Sequence, residues 1–343
     1  MAKYLVTGGA GFIGSNIVEE LVRLKGLSPT LRLRSGPEGT VPKVDEIRVL
    51  DNFITGKREN LAPFLNKIEL IEGDIRDRKI IDKALEDIDF VLHQAALRSV
   101  AKSVEDPIAT NDTNVFGTLN MLMAAKDAHV KRFVYASSSS AYGNAKRFPQ
   151  KETDNPVPIS PYGVSKLAAE NYCVTFAKTF GLETVSLRYF NVFGPRQNPE
   201  SKYSAAIPAI LVKMLDNERP IAEWDGKQSR DFTYVSNVVE ANLRACVVPK
   251  ISGEVFNIAC GSTTSILEII REANRILGLK LKPEHGPKRP GDVRKTCADI
   301  SKMKNMLGVK KIVGFEKGLK LTIDWFKNSP GLNISRTTCT GRG

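Results

Sequence analysis

At 343 residues with 42% apolar content, the chain is long enough to bury a large core in two closely packed lobes, and no run of about 18 apolar residues is present to span a membrane. Its 50 basic against 38 acidic residues give a net charge of +12, but the cations are scattered and lack interleaved aromatics, which disfavours a nucleic-acid platform and suits an anionic cofactor and substrate. Five scattered cysteines (Cys173, Cys246, Cys260, Cys297, Cys339) and three histidines without ligand spacing (His93, His129, His285) suggest neither a disulfide frame nor a metal site, so a reducing cytoplasm is expected, with no signal peptide ahead of a strand that begins at once.

The first element in chain order is the most informative. An apolar run at 4–6 leads into TGGAGFIG at 7–14, and a helical pattern follows through Ile17, Val18, Leu21 and Val22. Strand, glycine turn and helix, in that order, form the context a dinucleotide-binding fingerprint requires. In that reading Gly8 makes the turn, Gly11 lets the backbone approach a pyrophosphate, and Gly14 lets helix and strand pack closely. The phosphates would rest on the helix N-terminus, where free N–H groups and the macrodipole favour negative charge.

A ribose-binding carboxylate should end the second strand about 20 residues further on. Asp51, after the run 47–50, fits the position but lies farther along than that. The stretch 26–45 is rich in Pro, Gly and basic residues and has no apolar period, so it reads as a loop insertion. Asp45 is the rival acid, but it precedes the strand. An acid at Asp51 favours NAD over NADP, because a 2′-phosphate would meet a like charge.

Past Asp51 the alternation continues, with strands expected at 68–71, 89–92, 133–136 and 184–187 and helices at 79–85, 114–125 and 162–180. This predicts an α/β fold with a doubly wound parallel sheet, whose ligands gather at the carboxyl ends of the strands. Gly8, Asp51, Asp74, Ala95 and Ser138 stand at such ends. Beyond Asn191 the pattern breaks at Pro195, Pro199, Pro208 and Pro220. The expected organisation is a Rossmann domain over 1–191, a smaller α/β substrate lobe mainly over 192–328 with a return to the first near 232–260, and a disordered tail over 329–343.

Tyr162 and Lys166, in YGVSK, lie four residues apart on one helical face. A phenol ionises near pH 10, so a base at neutral pH needs a downward shift of about three units, which a lysine cation and an oxidised nicotinamide nearby would favour. The serines at 137–140 follow the fifth strand and offer hydroxyls to a substrate. Taken singly, such a pair is commonly a solvated helix face, and such serines a polar strand end. Their order along one doubly wound pattern gives them weight.

TGGAGFIG, Asp51, the serine cluster and YGVSK together resemble the extended short-chain dehydrogenase/reductase family, over 3–326 apart from the insertion. Further strings carry the resemblance: GDIRD at 73–77, HQAA at 93–96, NVFGT at 114–118, RYFNVFGPRQ at 188–197, SRDF at 229–232 and RPGDVRKTCAD at 289–299. They look most like the UDP-hexose and UDP-N-acetylhexosamine 4-epimerases of its nucleotide-sugar branch. The resemblance implies tightly held, recycled NAD, with Phe12, Ile13, Asn52 and Gly56 beside the glycine turn and Asp51, and Asp74 and Ile75 at the adenine. Ala95, Ala96, Asn114, Ser137 and Tyr189 complete the implied cradle, and Tyr162 and Lys166 adjoin the nicotinamide ribose. It also implies catalysis by Tyr162 and Lys166, with Ser138, or Ser139 as the near alternative, polarising the sugar O4. Ser99, Asn191, Arg230, Arg289 and Asp292 are the implied nucleotide-sugar contacts.

The implied reaction removes hydrogen from C4, lets the 4-keto sugar turn about its diphosphate, and returns the hydrogen to the other face. In this family a small residue at Thr296 accompanies acceptance of a 2-acetamido group, which points to UDP-N-acetylglucosamine and UDP-N-acetylgalactosamine, with UDP-glucose or a UDP-N-acetylhexosaminuronate as alternatives. Arg98 is either a partner for a C6 carboxylate, a phosphate contact or a solvated loop arginine. Nucleotide-sugar dehydratases and decarboxylases carry acids after the catalytic serine or threonine, where this chain has Ser139 and Ser140, and non-catalytic relatives usually lose the Tyr or Lys. A homodimer built from helices around 114–125 and 162–180 is also implied.

Overall fold

The computed structural model describes residues 2–27, 44–199, 205–288 and 293–329. Seven strands form one sheet: β1 Ala2–Thr7, β2 Val44–Asp51, β3 Glu69–Glu72, β4 Phe90–His93, β5 Arg132–Ser138, β6 Thr184–Tyr189 and β7 Glu254–Ile258. Every neighbouring pair is parallel, in the order β7-β6-β5-β4-β1-β2-β3. The expected doubly wound α/β sheet is therefore present, and its winding reverses between β1 and β4, where such sheets open a crevice.

Successive residues along these strands enter opposite cores. Tyr4, Val6, Val49, Leu92 and Val134 pack with Ile17 and Leu21 of the helix Phe12–Lys25 and Leu243 of the helix Val235–Val247. Leu5, Leu50, Val91, Phe133 and Tyr135 pack instead with Ile81 of Arg78–Leu85, Leu122 of Gly117–Asp127 and Cys173 of Pro161–Thr175. Burial on both faces is why the strands read as continuous apolar runs.

The helix expected at 114–125 is one part of a broken series. Val100–Glu105 stops at Asp106, whose carboxylate caps Pro107–Asn111 by accepting from the Ala109 N–H at 2.9 Å; a π-helical turn, Asp112–Phe116, then joins Gly117–Asp127. Proline at a first helical position starts a new helix because its missing N–H is unneeded there. The helix Pro161–Thr175 begins in the same way, and a π-helical turn extends it through Phe176–Phe180.

After β6 the chain leaves the sheet, adds Val235–Val247 and β7 to its far edge, and otherwise builds small pieces. Val192–Phe193 pairs with Thr233–Tyr234, Ser229–Arg230 with Thr264–Ser265, and Ile221–Glu223 with Glu284–Gly286. The helices Ala206–Leu215, Ile266–Leu277 and Phe315–Asn328 accompany them; Ser265 and Glu268 close a capping box on the second. Most of the 26–45 insertion (28–43) and the tail from 330 onward lie outside the described residues. Among the described residues no helix is long and apolar enough to cross a membrane, and no group of three His, Cys, Asp or Glu side chains is placed to hold a metal ion.

Candidate active site

A cleft of about 480 Å³ lies at the carboxyl ends of β1, β2, β4, β5 and β6. The glycine turn forms one wall. Gly8 has φ +66°, and a Cβ there would lie 2.7 Å from the Ala95 backbone nitrogen; a Cβ on Gly14 would lie 2.2 Å from the Gly8 carbonyl oxygen. At Gly11 a Cβ would meet only that same oxygen, at 3.1 Å. Two glycines are thus required by packing, whereas the third keeps clear the space in front of the helix. Phe12–Lys25 has no side-chain cap and no acid in its first turn, and Phe12, Ile13 and Gly14 line the cleft. Uncapped N–H groups facing a cavity suit a diphosphate.

Asp51 ends β2 inside the cleft, whereas its rival Asp45 is exposed near the start of that strand. Its oxygens accept from the Ala10 N–H at 2.9 Å and the Phe53 N–H at 2.8 Å; burial pushes the carboxyl up and those two donors oppose it. Gly56 acts by closeness, since a Cβ there would sit 2.8 Å from the Asp51 carboxylate. Asn52 reaches Asp74 at 2.9 Å, and Arg76, clamped on Asp74 through two 2.9 Å bonds, holds that carboxyl at about 2. Ile75 and Ala96 line the cleft, as does Ala95, whose N–H reaches the Thr7 hydroxyl.

The opposite wall carries the candidate chemistry. Ser160 caps the helix Pro161–Thr175 by accepting from the Gly163 N–H at 3.1 Å, which sets Tyr162 and Lys166 on successive turns facing β5. The Lys166 ammonium donates to the Ala136 carbonyl at 2.8 Å and lies 5.0 Å from the Tyr135 ring centre. Burial lowers it to about 7. Burial also pushes the Tyr162 phenol up, while the hydrogen-bonded Ser138 hydroxyl and the Arg98 guanidinium pull it down. The helpers that the chain itself supplies are therefore Ser138 and Arg98, where the sequence pointed to Lys166. Ser138 is the serine bonded to Tyr162, and Ser139 lines the cleft beside it. Ser137 also reaches the cleft, but its hydroxyl donates to Glu170 at 2.6 Å and so serves the helix. His93 is a core residue held between Thr7 and Thr118, and burial pushes it down to about 3.

Several other expected site residues have partners within the chain. Asn114 spends its side chain on the Leu97 N–H, the Leu97 carbonyl and the Ser165 hydroxyl, at 2.8, 2.9 and 3.0 Å, so it braces the cradle from behind. Tyr189 lines the cleft with its hydroxyl bound to Gln94 and Asn242. Ser99 caps Val100–Glu105 by accepting from the Lys102 N–H. Asn191 lines the cleft and bonds the Thr296 hydroxyl at 3.0 Å, which brings Thr296 to the site through a neighbour. A second cavity of about 300 Å³ shares Asn191, Val192, Gln197 and Ala205 with the first and includes Arg230, whose guanidinium bonds the Ser229 and Val293 carbonyls. Arg289 and Asp292 lie outside the described residues. Sequence reasoning did not single out Arg76, which its neighbour Asp74 should have flagged, or Asp231, a fully buried carboxylate inside the SRDF string that receives three backbone N–H groups.

The chain as a whole is similar to known proteins. A UDP-N-acetylglucosamine 4-epimerase of Methanobrevibacter ruminantium M1, solved with UDP-N-acetylmuramic acid, is 35% identical with a TM-score of 0.85 over 95% of this chain and 98% of its own. A UDP-glucose 4-epimerase of Thermotoga maritima, solved with UDP-glucose, is 37% identical with a TM-score of 0.84 over the same shares. A UDP-glucuronate 4-epimerase of Thermodesulfobacterium geofontis is 32% identical over 96% of this chain and 97% of its own. The model of the NAD dependent epimerase/dehydratase family matches residues 4–259, and with the glycine turn, Asp51 and the Tyr162/Lys166 pair lining one cleft, the chain belongs to that family.

Proposed function

We propose that the chain inverts C4 of a UDP-hexose, with UDP-N-acetylglucosamine and UDP-N-acetylgalactosamine as the favoured pair. The observation that carries this reading is the convergence of Tyr162, Ser138 and Lys166 in the same cleft as an uncapped, glycine-fronted helix. NAD would be held by that helix at its diphosphate, by Asp51 at a ribose, and by Asp74 and Ile75 near the adenine. Bound there, its oxidised ring supplies an acceptor for two electrons and the C4 hydrogen, and gives them back.

The chain's own residues do the rest. Tyr162, as phenolate, takes the O4 proton and later returns it, while Ser138 fixes O4 by a hydrogen bond. Lys166 would hold the nicotinamide ribose. Arg230 and Asn191, on the adjoining cavity, hold the nucleotide while the sugar turns; arginine forks suit phosphate oxygens.

Thr296 and the likeness to the M. ruminantium enzyme support the acetamido sugar. A UDP-uronate is the second reading, favoured by the Arg98 guanidinium in the cleft and by the T. geofontis relative. The deciding experiment compares turnover of UDP-glucose, UDP-N-acetylglucosamine and its uronate without added NADH. The acetamido sugar should turn over fastest, and Tyr162→Phe should lower that rate by orders of magnitude; near-normal turnover in the variant would remove Tyr162 as the base. Oligomeric state belongs to the same proposal: exposed Val104, Ile108, Phe116, Val164 and Phe180 sit on neighbouring helical segments, an apolar face that suits a second copy of this chain.

A further inference from the structure

We propose that Ser103 is a positioning residue for the base: from a neighbouring helix, its hydroxyl holds the Tyr162 backbone and so sets where the phenol stands against the wall that follows β4. This rests on Tyr162 being the base of the proposed epimerase.

The first turn of Pro161–Thr175 leaves one donor for Ser103 to hold. The opening N–H groups of a helix have no partner within it. Ser160 answers for two of the donors that follow it: its hydroxyl accepts from the Gly163 N–H at 3.1 Å and its carbonyl from the Val164 N–H at 3.0 Å. Pro161 has no N–H. Tyr162 remains, and its N–H donates at 3.1 Å to the Ser103 hydroxyl on Val100–Glu105. The residue that carries the phenol is thus the one whose backbone is capped from outside its own helix. Its carbonyl is held as well, since the Ser165 hydroxyl donates to it at 2.8 Å and itself accepts from Asn114 at 3.0 Å.

The burial of Ser103 follows from this bond. Val100–Glu105 buries one residue, Ser103, which has no exposed surface, while Val100 is 39% and Val104 65% exposed. A helix packed by its apolar face does the reverse. Burying a hydroxyl is unfavourable unless it is hydrogen-bonded, and this one is bonded in both its capacities. It donates to the Val100 carbonyl at 2.6 Å, which uses its only hydrogen and leaves its lone pairs to the Tyr162 N–H.

The helix that carries Ser103 is fixed to the opposite wall. Ala95, Ala96, Leu97 and Arg98 line the cleft directly after β4; Ser99 then caps Val100–Glu105, and the Ser99 carbonyl accepts the Ser103 N–H at 3.0 Å. Asn114 clamps the Leu97 peptide at its N–H and its carbonyl. A shift of Tyr162 relative to Ala95 and Ala96 therefore strains the Ser103 bond or the Asn114 brace. Ser103 itself does not line the cleft, so it acts through Tyr162. Ser138 meets the same residue at its phenol oxygen, and the base is held at both ends. Such restraint matters because the O4 proton must find the phenol while the C4 hydrogen faces the other wall; a misplacement of about 1 Å can cost about a hundredfold in rate.

The test uses NAD-loaded enzyme and the variants Ser103→Ala and Ser103→Thr, with Thr110→Ala as a stability control. Thr110 is also buried, on the neighbouring helix Pro107–Asn111, and its hydroxyl donates to the Asp106 carbonyl at 3.0 Å, away from Tyr162. Ser103→Ala should lower kcat by about thirtyfold, with KM for the UDP-sugar and NAD retention within about twofold of the wild type. A substrate deuterated at C4 should then show a larger isotope effect on kcat, as hydrogen removal becomes limiting. Ser103→Thr keeps the hydroxyl, whose bond to a carbonyl one turn back is a habitual threonine rotamer, and should restore most of kcat. Thr110→Ala should melt lower with kcat unchanged.

With Tyr162→Phe inactive, a normal kcat in Ser103→Ala overturns the proposal and leaves the epimerase reading standing. A loss of kcat matched by Thr110→Ala also overturns it, by marking general loosening, as does a rise in KM alone, by marking a substrate wall. Should the alanine variant fail to fold, Ser103→Cys replaces it, since its thiol accepts only weakly. Full turnover by Tyr162→Phe, or none by the wild type, would sink the base reading and this role with it.

Discussion

Glu170 and Arg188 form a two-point ion pair, at 2.6 and 2.9 Å, with both side chains almost fully buried. Glu170 lies one turn beyond Lys166 and also receives the Ser137 hydroxyl, so one carboxylate ties the Pro161–Thr175 helix to the ends of β5 and β6. Removing one partner strands a buried charge: Glu170→Ala should cost about 3–5 kcal/mol in urea unfolding. Replacing both residues by methionine should cost much less, and equal losses would show that the charge pairing is not what matters there.

The three glycines of the first turn should separate in their effects. Gly14→Ala drives a methyl into the Gly8 carbonyl and should abolish soluble folded protein, whereas Gly11→Ala meets one atom at 3.1 Å and should fold normally. The Gly11 methyl would stand in front of the uncapped helix end, so NAD should be lost on gel filtration. Full NAD retention by Gly11→Ala would mean that the dinucleotide does not approach there.

Lys166 trades stability for chemistry, and pH reveals it. Its pKa is about 7 in the folded chain against an ordinary 10.5, so between those values the unfolded chain binds more protons and stability rises with pH. Below pH 7 the full cost of burying the charge is present. Lys166→Met should therefore melt a few degrees above the wild type at pH 6, with the gap narrowing toward pH 10, while losing activity by orders of magnitude. A pH-independent gap would contradict the burial argument.

Asp231 has the opposite sign. Burial pushes it up to about 6, against the opposing pull of the Cys260, Ala298 and Gly261 N–H groups. A raised carboxyl binds protons better in the folded chain, so its contribution is present below pH 4 and lost as pH rises through 6. Relative to Asp231→Asn, the wild-type free energy of unfolding in urea should improve on acidification from pH 6.5 to 4.5, by roughly 1 kcal/mol or more. Asp231→Ala leaves three amides unpaired and should lose about 1–3 kcal/mol at any pH.

The exposed apolar face gives a sharper handle on assembly. Ile108 is 75% exposed and Phe116 49%, on adjoining turns. Light scattering should find dimers of the wild type and monomers of Ile108→Asp with Phe116→Asp, with unchanged circular dichroism. Wild-type monomers would show that this face has another use.

What the sequence revealed follows from how each segment is buried. Strands covered on both faces carry unbroken apolar runs, so β1, β4, β5 and β6 could be read to within a few residues, and glycines needed for close approach stand at diagnostic spacing. Two-residue strands such as Val192–Phe193 have no period to read, and Pro107 hid the early start of the helical series. Side-chain duty was the least legible. Nothing local distinguishes Ser138, which meets Tyr162, from Ser137, which meets Glu170, because the difference is the alternation of a single strand end. The Asn114 brace likewise depends on Leu97 and Ser165, which only the fold brings together.

β7 closes the sheet against β6, although the chain builds most of its short strands between the two. During synthesis, residues 2–189 must wait on the ribosome with the β6 edge uncovered, its amides and carbonyls open to other nascent chains. Parallel pairing across so long a loop is also entropically late. Truncation before Glu254 should therefore yield aggregation rather than a compact dinucleotide-binding fragment, and refolding should be limited by the arrival of this last strand.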